Sequence, residues 1–374
     1  MIARSWALIA VLYTFASTSV VADSTIEHAI RTAAESELQK PTVVGLSVAV
    51  GKGDQVVYAE GFGAANIETG EEVSASTKMR VGSVSKVFTT ALLGKLYEGG
   101  KLDLDAPVET YVPAFPQKRW PVSLRQMAAH MGGIRHYRGD EFLNTHYYPT
   151  VTEGIEMFIH DPLIFEPGTQ VQYSSHAWNL ISAALEGAGG DSFLTMMDEQ
   201  VFGEIGMQDT MAEDITKPLS DLSAFHVNDD GTPVIAPFVD NSYKWAGGGF
   251  IGTASDMVCF GLAHTKAGFL KQETLDLLFK EQHTNDSQPA GFGIGWMTAG
   301  NMRGRLKRDG LTDYLPVVHD HLVWHSGGSM GGVALLLVDT EHDIAVGLLA
   351  NHGQAFPALM RVGLEALQAA LASN

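Results

Sequence analysis

A serine and a lysine stand three residues apart in the segment Ser83-Val84-Ser85-Lys86. Side chains at positions i and i+3 of a helix lie on the same face, so a helix that begins near Ser83 brings the lysine amine to the serine hydroxyl. Such a helix also places the hydroxyl at the positive end of the helix dipole. Residues 84–96 support the helix, because their apolar positions recur at spacings of three, four and seven. The pair predicts a serine nucleophile with its own general base.

Two later segments carry the other groups that serine chemistry requires: Tyr173-Ser174-Ser175 and His325-Ser326-Gly327-Gly328. Acyl transfer through a serine needs a base for the hydroxyl, an acid for the leaving group and two donors for the oxyanion. We expect Lys86 and Tyr173 to share the proton transfers, with pKa values lowered toward working pH by burial and by the neighbouring cation.

The second of these segments is expected to form a strand edge beside the serine. There the backbone N–H of Gly328, together with that of Ser83, can form an oxyanion hole. Ser326 and Gly327 are expected to line the same site and to contact the substrate.

The order and wide separation of the three segments resemble the serine beta-lactamase and D,D-peptidase superfamily. Its motifs are S-x-x-K, Y-x-N or Y-x-S, and K-T-G or the H-S/T-G variant. Within it, the chain most resembles the mitochondrial serine beta-lactamase-like proteins and their bacterial relatives, over nearly all of the sequence after residue 22. The matching stretches are residues 124–137, 165–174, 239–250 and 324–332. The resemblance implies a hydrolase that works through an acyl-enzyme on Ser83.

Two departures from the beta-lactamase pattern concern the substrate. His325 stands where beta-lactamases usually carry lysine, so the fixed charge that recognises a lactam or peptide carboxylate becomes a group expected to titrate near neutrality. Ser175 stands where asparagine is common, and the sequence has no E-x-x-L-N segment with a deacylating glutamate. We expect Ser175 and His325 to position the proton relay. A peptide or ester substrate is favoured over penicillins.

Two other functions stay open on the sequence. One is a class C-like beta-lactamase that hydrolyses lactam antibiotics, which differs only in substrate. The other belongs to a different class: a binding or scaffold protein that keeps the fold without turnover. The joint presence of Ser83, Lys86 and Tyr173 argues against it, but slow deacylation leaves no signature in the sequence.

A second serine, Ser329, matches the G-x-S-x-G pattern of the alpha/beta-hydrolase nucleophile elbow. That elbow requires a strand, a sharp turn and then a helix. Here two apolar runs, residues 333–338 and 344–349, follow with a short polar turn between them, which predicts a strand hairpin. The hairpin disfavours Ser329 as the nucleophile.

Three histidines, His319, His321 and His325, have even spacing and would share a face of one continuous strand. Such a face could bind zinc, but structural and catalytic zinc sites add further ligands and a supporting shell. Asp320 would point to the opposite face. We therefore predict no metal and no cofactor.

Composition and the first residues predict export. Residues 1–22 contain a basic residue, an apolar run and a Val-Val-Ala end, which is typical of a secretory signal peptide. The net charge of the whole chain is −19, which disfavours nucleic acid and anionic membranes as partners. No later stretch is apolar enough to span a membrane. We expect a periplasmic or extracellular protein, with no stable membrane insertion after cleavage, acting on a small-molecule or peptide substrate.

Strand and helix patterns predict an α/β (α+β) fold. Strands are expected at residues 43–50, 55–61, 291–297, 322–326, 332–338 and 343–349, with helices at both chain ends and in the middle. Strands at both ends suggest one antiparallel sheet flanked by helices, with a mainly helical insertion. We assign residues 23–103 and 286–374 to the sheet domain and residues 104–285 to the insertion. The resemblance places the site in the cleft between them.

Overall fold

The computed structural model describes residues 24–373, so the predicted signal peptide lies outside the described residues. The strands are β1 Gly45–Lys52, β2 Gln55–Asn66, β3 Glu71–Glu72, β4 Met79–Arg80, β5 Met211–Ala212, β6 His226–Asp229, β7 Thr232–Ile235, β8 Phe250–Gly252, β9 Leu322–Ser329, β10 Gly332–Asp339 and β11 Ile344–Ala350. The helices are α1 Ser24–Leu38, α2 Ser85–Glu98, α3 Leu124–Ala128, α4 Val151–Ile155, α5 His176–Gly189, α6 Phe193–Met197, α7 Gly203–Ile205, α8 Trp245–Gly248, α9 Ala254–Leu262, α10 Gln272–Phe279, α11 Ala299–Asp309 and α12 Phe356–Ala372.

The main sheet has six strands in the order β3-β2-β1-β11-β10-β9. Each neighbouring pair is antiparallel, and β1 from the first part of the chain pairs with β11 from the last, with Val48 opposite Leu348. The predicted α/β fold, with one antiparallel sheet built from both ends of the chain and flanked by helices, is confirmed. The domain boundaries stay a prediction.

The central strands are apolar at nearly every position because both faces of the sheet are covered. In β10, Leu335 and Leu337 pack in one hydrophobic cluster with α1 and α12, whereas Leu336 and Val338 pack in a second cluster with α2 and α9. Alternate residues of a strand point to opposite faces, so one run of leucines and valines supplies two cores. The second core, on the insertion side of the sheet, is the one that supports the site.

The strand predicted at residues 291–297 is wrong. This segment makes only isolated bridges, from Phe292 to Met297 and from Met297 to Trp324. Gly291 and Gly295 have φ angles of +76° and +79°, which belong to the left-handed region and interrupt an extended strand. The segment is therefore a turn-rich connection.

Within residues 24–373, no helix has the length and apolar character that a membrane span requires.

Candidate active site

Ser83 lies in a short 3-10 turn, Gly82–Val84, and the α-helix proper begins two residues later at Ser85. The turn leads directly into α2, so Ser83 and Lys86 still face one another as the spacing predicts. The Nζ atom of Lys86 lies 3.0 Å from the Oγ atom of Ser83. The structure therefore brings the predicted nucleophile and base within hydrogen-bond distance.

Lys86 is fully buried and is held by three oxygen atoms. Besides Ser83, its Nζ atom donates to the Oγ atom of Ser175 at 3.1 Å and to the backbone oxygen of Gly247. None of these partners is a carboxylate. Burial lowers the pKa of Lys86 well below its ordinary value, and repulsion from the Lys244 ammonium lowers it further. An unprotonated amine in this place can accept the serine proton.

Tyr173 completes this cluster, with its ring centroid 5.0 Å from the Nζ atom of Lys86. Burial raises the pKa of Tyr173 above its ordinary value, although hydrogen bonds with Ser83 and Ser175 act in the opposite direction. The expectation that burial lowers this pKa is wrong, because burial disfavours the charged phenolate. Tyr173 is present as a neutral hydroxyl, which can pass a proton without a stable phenolate.

Two histidines hold the segment that carries Tyr173. The Nδ1 atom of His130 accepts a hydrogen bond from the backbone N–H of Ser174 at 3.2 Å. The Nδ1 atom of His136 accepts one from the N–H of Ser175 at 3.1 Å. The His130 ring also packs on the Tyr173 ring, with centroids 4.2 Å apart. Both histidines therefore anchor the loop that carries Tyr173.

His325 lies on the edge strand β9 opposite Leu336, so it faces the same core as α2. Burial and repulsion from Lys86 lower the pKa of His325 to about 3, although a hydrogen bond to the Ser326 oxygen acts in the opposite direction. The expectation that His325 titrates near neutrality is therefore wrong. Its Nδ1 atom donates to that oxygen at 2.6 Å. The Nε2 atom is buried and has no hydrogen-bond partner among the described residues.

Gly327 and Gly328 of β9 lie in close contact with the turn that carries the nucleophile. An added Cβ at Gly327 would lie 3.1 Å from the backbone nitrogen of Ser83, and one at Gly82 would lie 2.6 Å from that of Gly328. Gly82 also has a φ angle of +50°, a conformation that favours glycine. This close approach brings the backbone of Gly328 beside the Ser83 turn, where the sequence predicts the oxyanion hole.

Ser329 does not occupy a nucleophile elbow. It is the last residue of β9 and pairs with Gly332 at the start of β10. The chain therefore continues from strand to turn to strand, as the sequence predicts, and the helix that an elbow requires does not follow.

The three evenly spaced histidines do not share one strand, because β9 begins only at Leu322. The Nδ1 atom of His319 lies 3.3 Å from the buried carboxylate of Asp339. A ring nitrogen of His319 also lies within 4.8 Å of side-chain ligand atoms of Glu341 and His342. His325 instead lies near Lys86. The hypothesis of a zinc face made by His319, His321 and His325 is therefore wrong.

Two residues near the site, Gly247 and Lys244, were not predicted from the sequence. Gly247, in the glycine-rich stretch 246–249, supplies the backbone oxygen that binds Lys86. Lys244 is a second buried lysine, only 2% exposed. Residues 239–250 match the beta-lactamase-like proteins, but the burial of Lys244 depends on tertiary packing and has no signal in the local sequence.

The chain has relatives among known proteins. Residues 30–370 match the family model described as Beta-lactamase. The chain is 27% identical over 392 residues to the serine beta-lactamase-like protein LACTB, mitochondrial, of Homo sapiens, across 79% of this chain and 69% of that protein.

Two solved structures share the fold. The octameric penicillin-binding protein homologue from Pyrococcus abyssi superposes with a TM-score of 0.76 and 21% identity, covering 93% of this chain and 78% of that one. EstCE1, described as a hydrolase with promiscuous acyltransferase activity, superposes with a TM-score of 0.74 and 19% identity, covering 93% of this chain and 99% of that one. Because the family match extends over most of the sequence, the chain belongs to the beta-lactamase family and is a serine hydrolase of that kind.

Proposed function

We propose that this chain is an exported enzyme that cleaves amide or ester bonds of a small-molecule or peptide substrate through an acyl-enzyme on Ser83. The observation that carries the proposal is the buried Lys86 amine, 3.0 Å from the Ser83 hydroxyl and without a carboxylate partner. A serine is a weak nucleophile unless a base takes its proton, and this amine is placed to do so.

In the proposed reaction, the Oγ atom of Ser83 attacks the substrate carbonyl carbon while its proton passes to Lys86. The backbone N–H groups of Ser83 and Gly328 bind the resulting oxyanion. Tyr173 then passes its proton to the departing amine or alcohol and regains one from Lys86, and the bond between carbonyl carbon and leaving group breaks. Water attacks the acyl-enzyme in the second half of the cycle, giving up a proton to the same relay and releasing the acid and free Ser83.

One observation favours a peptide or an ester over a lactam as the substrate. The buried His325 is uncharged at neutral pH and stands where beta-lactamases usually carry a cationic lysine.

A substrate panel tests the proposed activity. The wild-type protein and Ser83→Ala are assayed with p-nitrophenyl esters, with L- and D-amino-acid p-nitroanilides and with nitrocefin. We expect turnover of an ester or anilide that Ser83→Ala abolishes, and slow or no turnover of nitrocefin. Nitrocefin as the fastest substrate would favour the class C-like alternative. One equivalent of product without further turnover would favour the non-turnover alternative.

Export rests on the composition of residues 1–22 and has its own test. The full-length chain is expressed in a bacterium, and the mass of the protein in periplasmic and culture fractions is measured. We expect a product shortened by about these residues in one of those fractions. Full-length protein that stays in the cytoplasm would contradict export.

A further inference from the structure

Lys244 is a buried lysine in an aromatic environment. It is 2% exposed and is the last residue of the 3-10 turn Ser242–Lys244, immediately before α8. Its Nζ atom is 4.4 Å from the ring centroid of Phe142, 5.4 Å from that of Tyr243 and 5.7 Å from that of Tyr137. The faces of such rings attract a cation, but they do not replace the hydrogen bonds that it loses on leaving water.

The ammonium group of Lys244 has no hydrogen bond or ion pair with any residue in the described range 24–373. Glu213 attracts it, but this carboxylate is already bound by the Arg80 guanidinium at 2.6 Å and by the Asn241 amide. Burial lowers the pKa of Lys244 to about 7, repulsion from Arg80 acts in the same direction and attraction by Glu213 opposes both. Lys244 is therefore a desolvated cation that has no anionic partner of its own among residues 24–373.

Lys244 also lies near the turn Gly82–Val84 that carries the nucleophile, with Gly248 between them. An added Cβ at Gly248 would contact the Cδ atom of Lys244 at 3.9 Å and the carbonyl carbon of Gly82 at 3.6 Å. The missing side chain of Gly248 therefore leaves space between the lysine and the turn that carries Ser83. The charge of Lys244 is also close enough to lower the pKa of Lys86.

We propose that Lys244 binds a carboxylate group of the substrate and makes this enzyme selective for acidic acyl compounds or peptides. The inference rests on the proposed function, because it names the substrate class of that same site. The uncharged His325 leaves the usual third-motif position without a cation, and Lys244 is an unpaired cation near Ser83. A charge-assisted hydrogen bond from a desolvated ammonium to a carboxylate is strong and specific.

Matched substrate pairs test the proposal on both sides of the scissile bond. On the acyl side, mono-4-nitrophenyl glutarate is compared with its methyl ester. On the leaving-group side, 3-carboxyphenyl butanoate is compared with 3-carbamoylphenyl butanoate. For the wild type, we expect that in one of the two pairs kcat/KM for the ester with the carboxylate exceeds kcat/KM for its uncharged partner. In Lys244→Met this preference, the ratio of the two kcat/KM values, should fall by about 10- to 100-fold. Loss of the Lys244 charge also changes the pKa of Lys86, but that change affects both members of a pair alike and leaves their ratio as the readout.

Lys101→Met serves as the matched control, because Lys101 is exposed beyond the far end of α2 and should leave both ratios unchanged. An equal loss for both members of each pair in Lys244→Met would overturn the proposal and leave the lysine a structural role. Wild-type enzyme that hydrolyses the uncharged esters without any preference for carboxylates would also overturn it. If the wild type hydrolyses no ester in either pair, the proposed function itself fails.

A measurement on the wild type guards against a variant that does not fold. Boronic acids form reversible tetrahedral adducts with nucleophilic serines, so 3-carboxyphenylboronic acid is compared with 3-carbamoylphenylboronic acid as an inhibitor. We expect the carboxylate to inhibit at least about ten times more strongly. Equal inhibition by the two compounds, together with no carboxylate preference in the ester pairs, would contradict a carboxylate site at Lys244.

Discussion

Lys86 is suited to act as a base because its surroundings do not hold it in the charged form. Its three hydrogen-bond partners are neutral oxygens, and among residues 24–373 the charge that acts on it is the cation of Lys244. A lysine that loses solvent without gaining a carboxylate gives up its proton more easily. The same burial keeps the amine in one place beside Ser83.

Replacement of Lys86 by methionine is expected to lower kcat/KM for an ester by at least about 10³-fold, within the range of general-base catalysis. Lys86→Arg should lose as much activity, because a guanidinium does not give up its proton in proteins. In the wild type, activity should rise with pH through the lowered pKa of Lys86, since the base form is the active one. Steady-state kinetics checks all three, and an active arginine variant would remove Lys86 as the base.

His325 should contribute no inflection to activity between pH 5 and 8, because its pKa is lowered to about 3 and the imidazole stays neutral over that range. His325→Gln keeps a neutral polar side chain. We expect its pH profile of kcat/KM with an uncharged ester to have the same inflection as the wild type, even if the absolute rate falls. An inflection near pH 6 to 7 that is lost in the variant would show that His325 titrates during catalysis.

The spacing of Ser83 and Lys86 made their contact predictable, because one helical turn separates them whatever surrounds the helix. The protonation of Tyr173 and His325 was not predictable in the same way. The direction in which each pKa shifts depends on how deeply the group is buried, and burial is determined by residues distant in the sequence. The catalytic roles of Ser83, Lys86, Tyr173, Ser175 and His325 stay predictions that kinetics must test.

At the scale of elements, the site depends on contact between the turn Gly82–Val84 and strand β9. The helix α2 places Lys86, and the turn places Ser83. The edge strand brings the glycine backbone against that turn. At Gly82 and Gly327 an added Cβ would clash with backbone atoms of the facing segment, so only a residue without a side chain fits there and the site geometry depends on both glycines.

Gly82→Ala tests this junction. The new Cβ would lie 2.6 Å from the nitrogen of Gly328, and the backbone φ of +50° disfavours alanine. We expect about 1 to 3 kcal/mol lower stability and a fall of about 100-fold in kcat/KM, because small displacements at an active site are costly.

Gly304→Ala is the control for that variant. Gly304 lies inside α11, with open space where the Cβ would go, so alanine should raise stability by about 0.5 to 1 kcal/mol and leave activity unchanged. Urea unfolding and ester kinetics measure both variants. Full activity in Gly82→Ala would mean that the junction does not set the site geometry.

Strand patterns predicted five of the six strands of the main sheet, β1, β2, β9, β10 and β11, and the continuous apolar runs of β10 and β11 are typical of a sheet covered on both faces. The two-residue strand β3 was not predicted. The same patterns failed at residues 291–297, where apolar residues alternate with glycines. The positive φ angles of Gly291 and Gly295 follow from close packing against other segments: an added Cβ at Gly295 would lie 2.1 Å from the Thr90 hydroxyl. Such constraints arise only in the folded chain.

At the scale of the whole molecule, one buried ion pair connects the sheet part to the middle of the chain. Arg80, in β4 just before the nucleophile turn, binds Glu213 through its Nε and Nη2 atoms. Its Nη1 atom donates to the backbone oxygen of Met330 in the turn after β9 at 2.6 Å. One side chain therefore joins three segments that surround the site.

Arg80→Met should lower the free energy of unfolding by about 3 to 5 kcal/mol, because it leaves the Glu213 carboxylate buried without its cation. Lys217→Met is the matched control: its ion pair with Asp214 involves a lysine side chain that is 79% exposed, and its loss should cost less than about 1 kcal/mol. Urea denaturation compares the two. Equal effects would contradict a connecting role for the buried pair.

The central claim is that Ser83 is the nucleophile of this enzyme. Its most direct test is intact-mass spectrometry and peptide mapping after exposure to a fluorophosphonate, with the wild type and Ser83→Ala side by side. We predict one adduct per chain, located on Ser83 and absent from the folded variant. An adduct that persists in Ser83→Ala, or one that maps to Ser329, would contradict the claim.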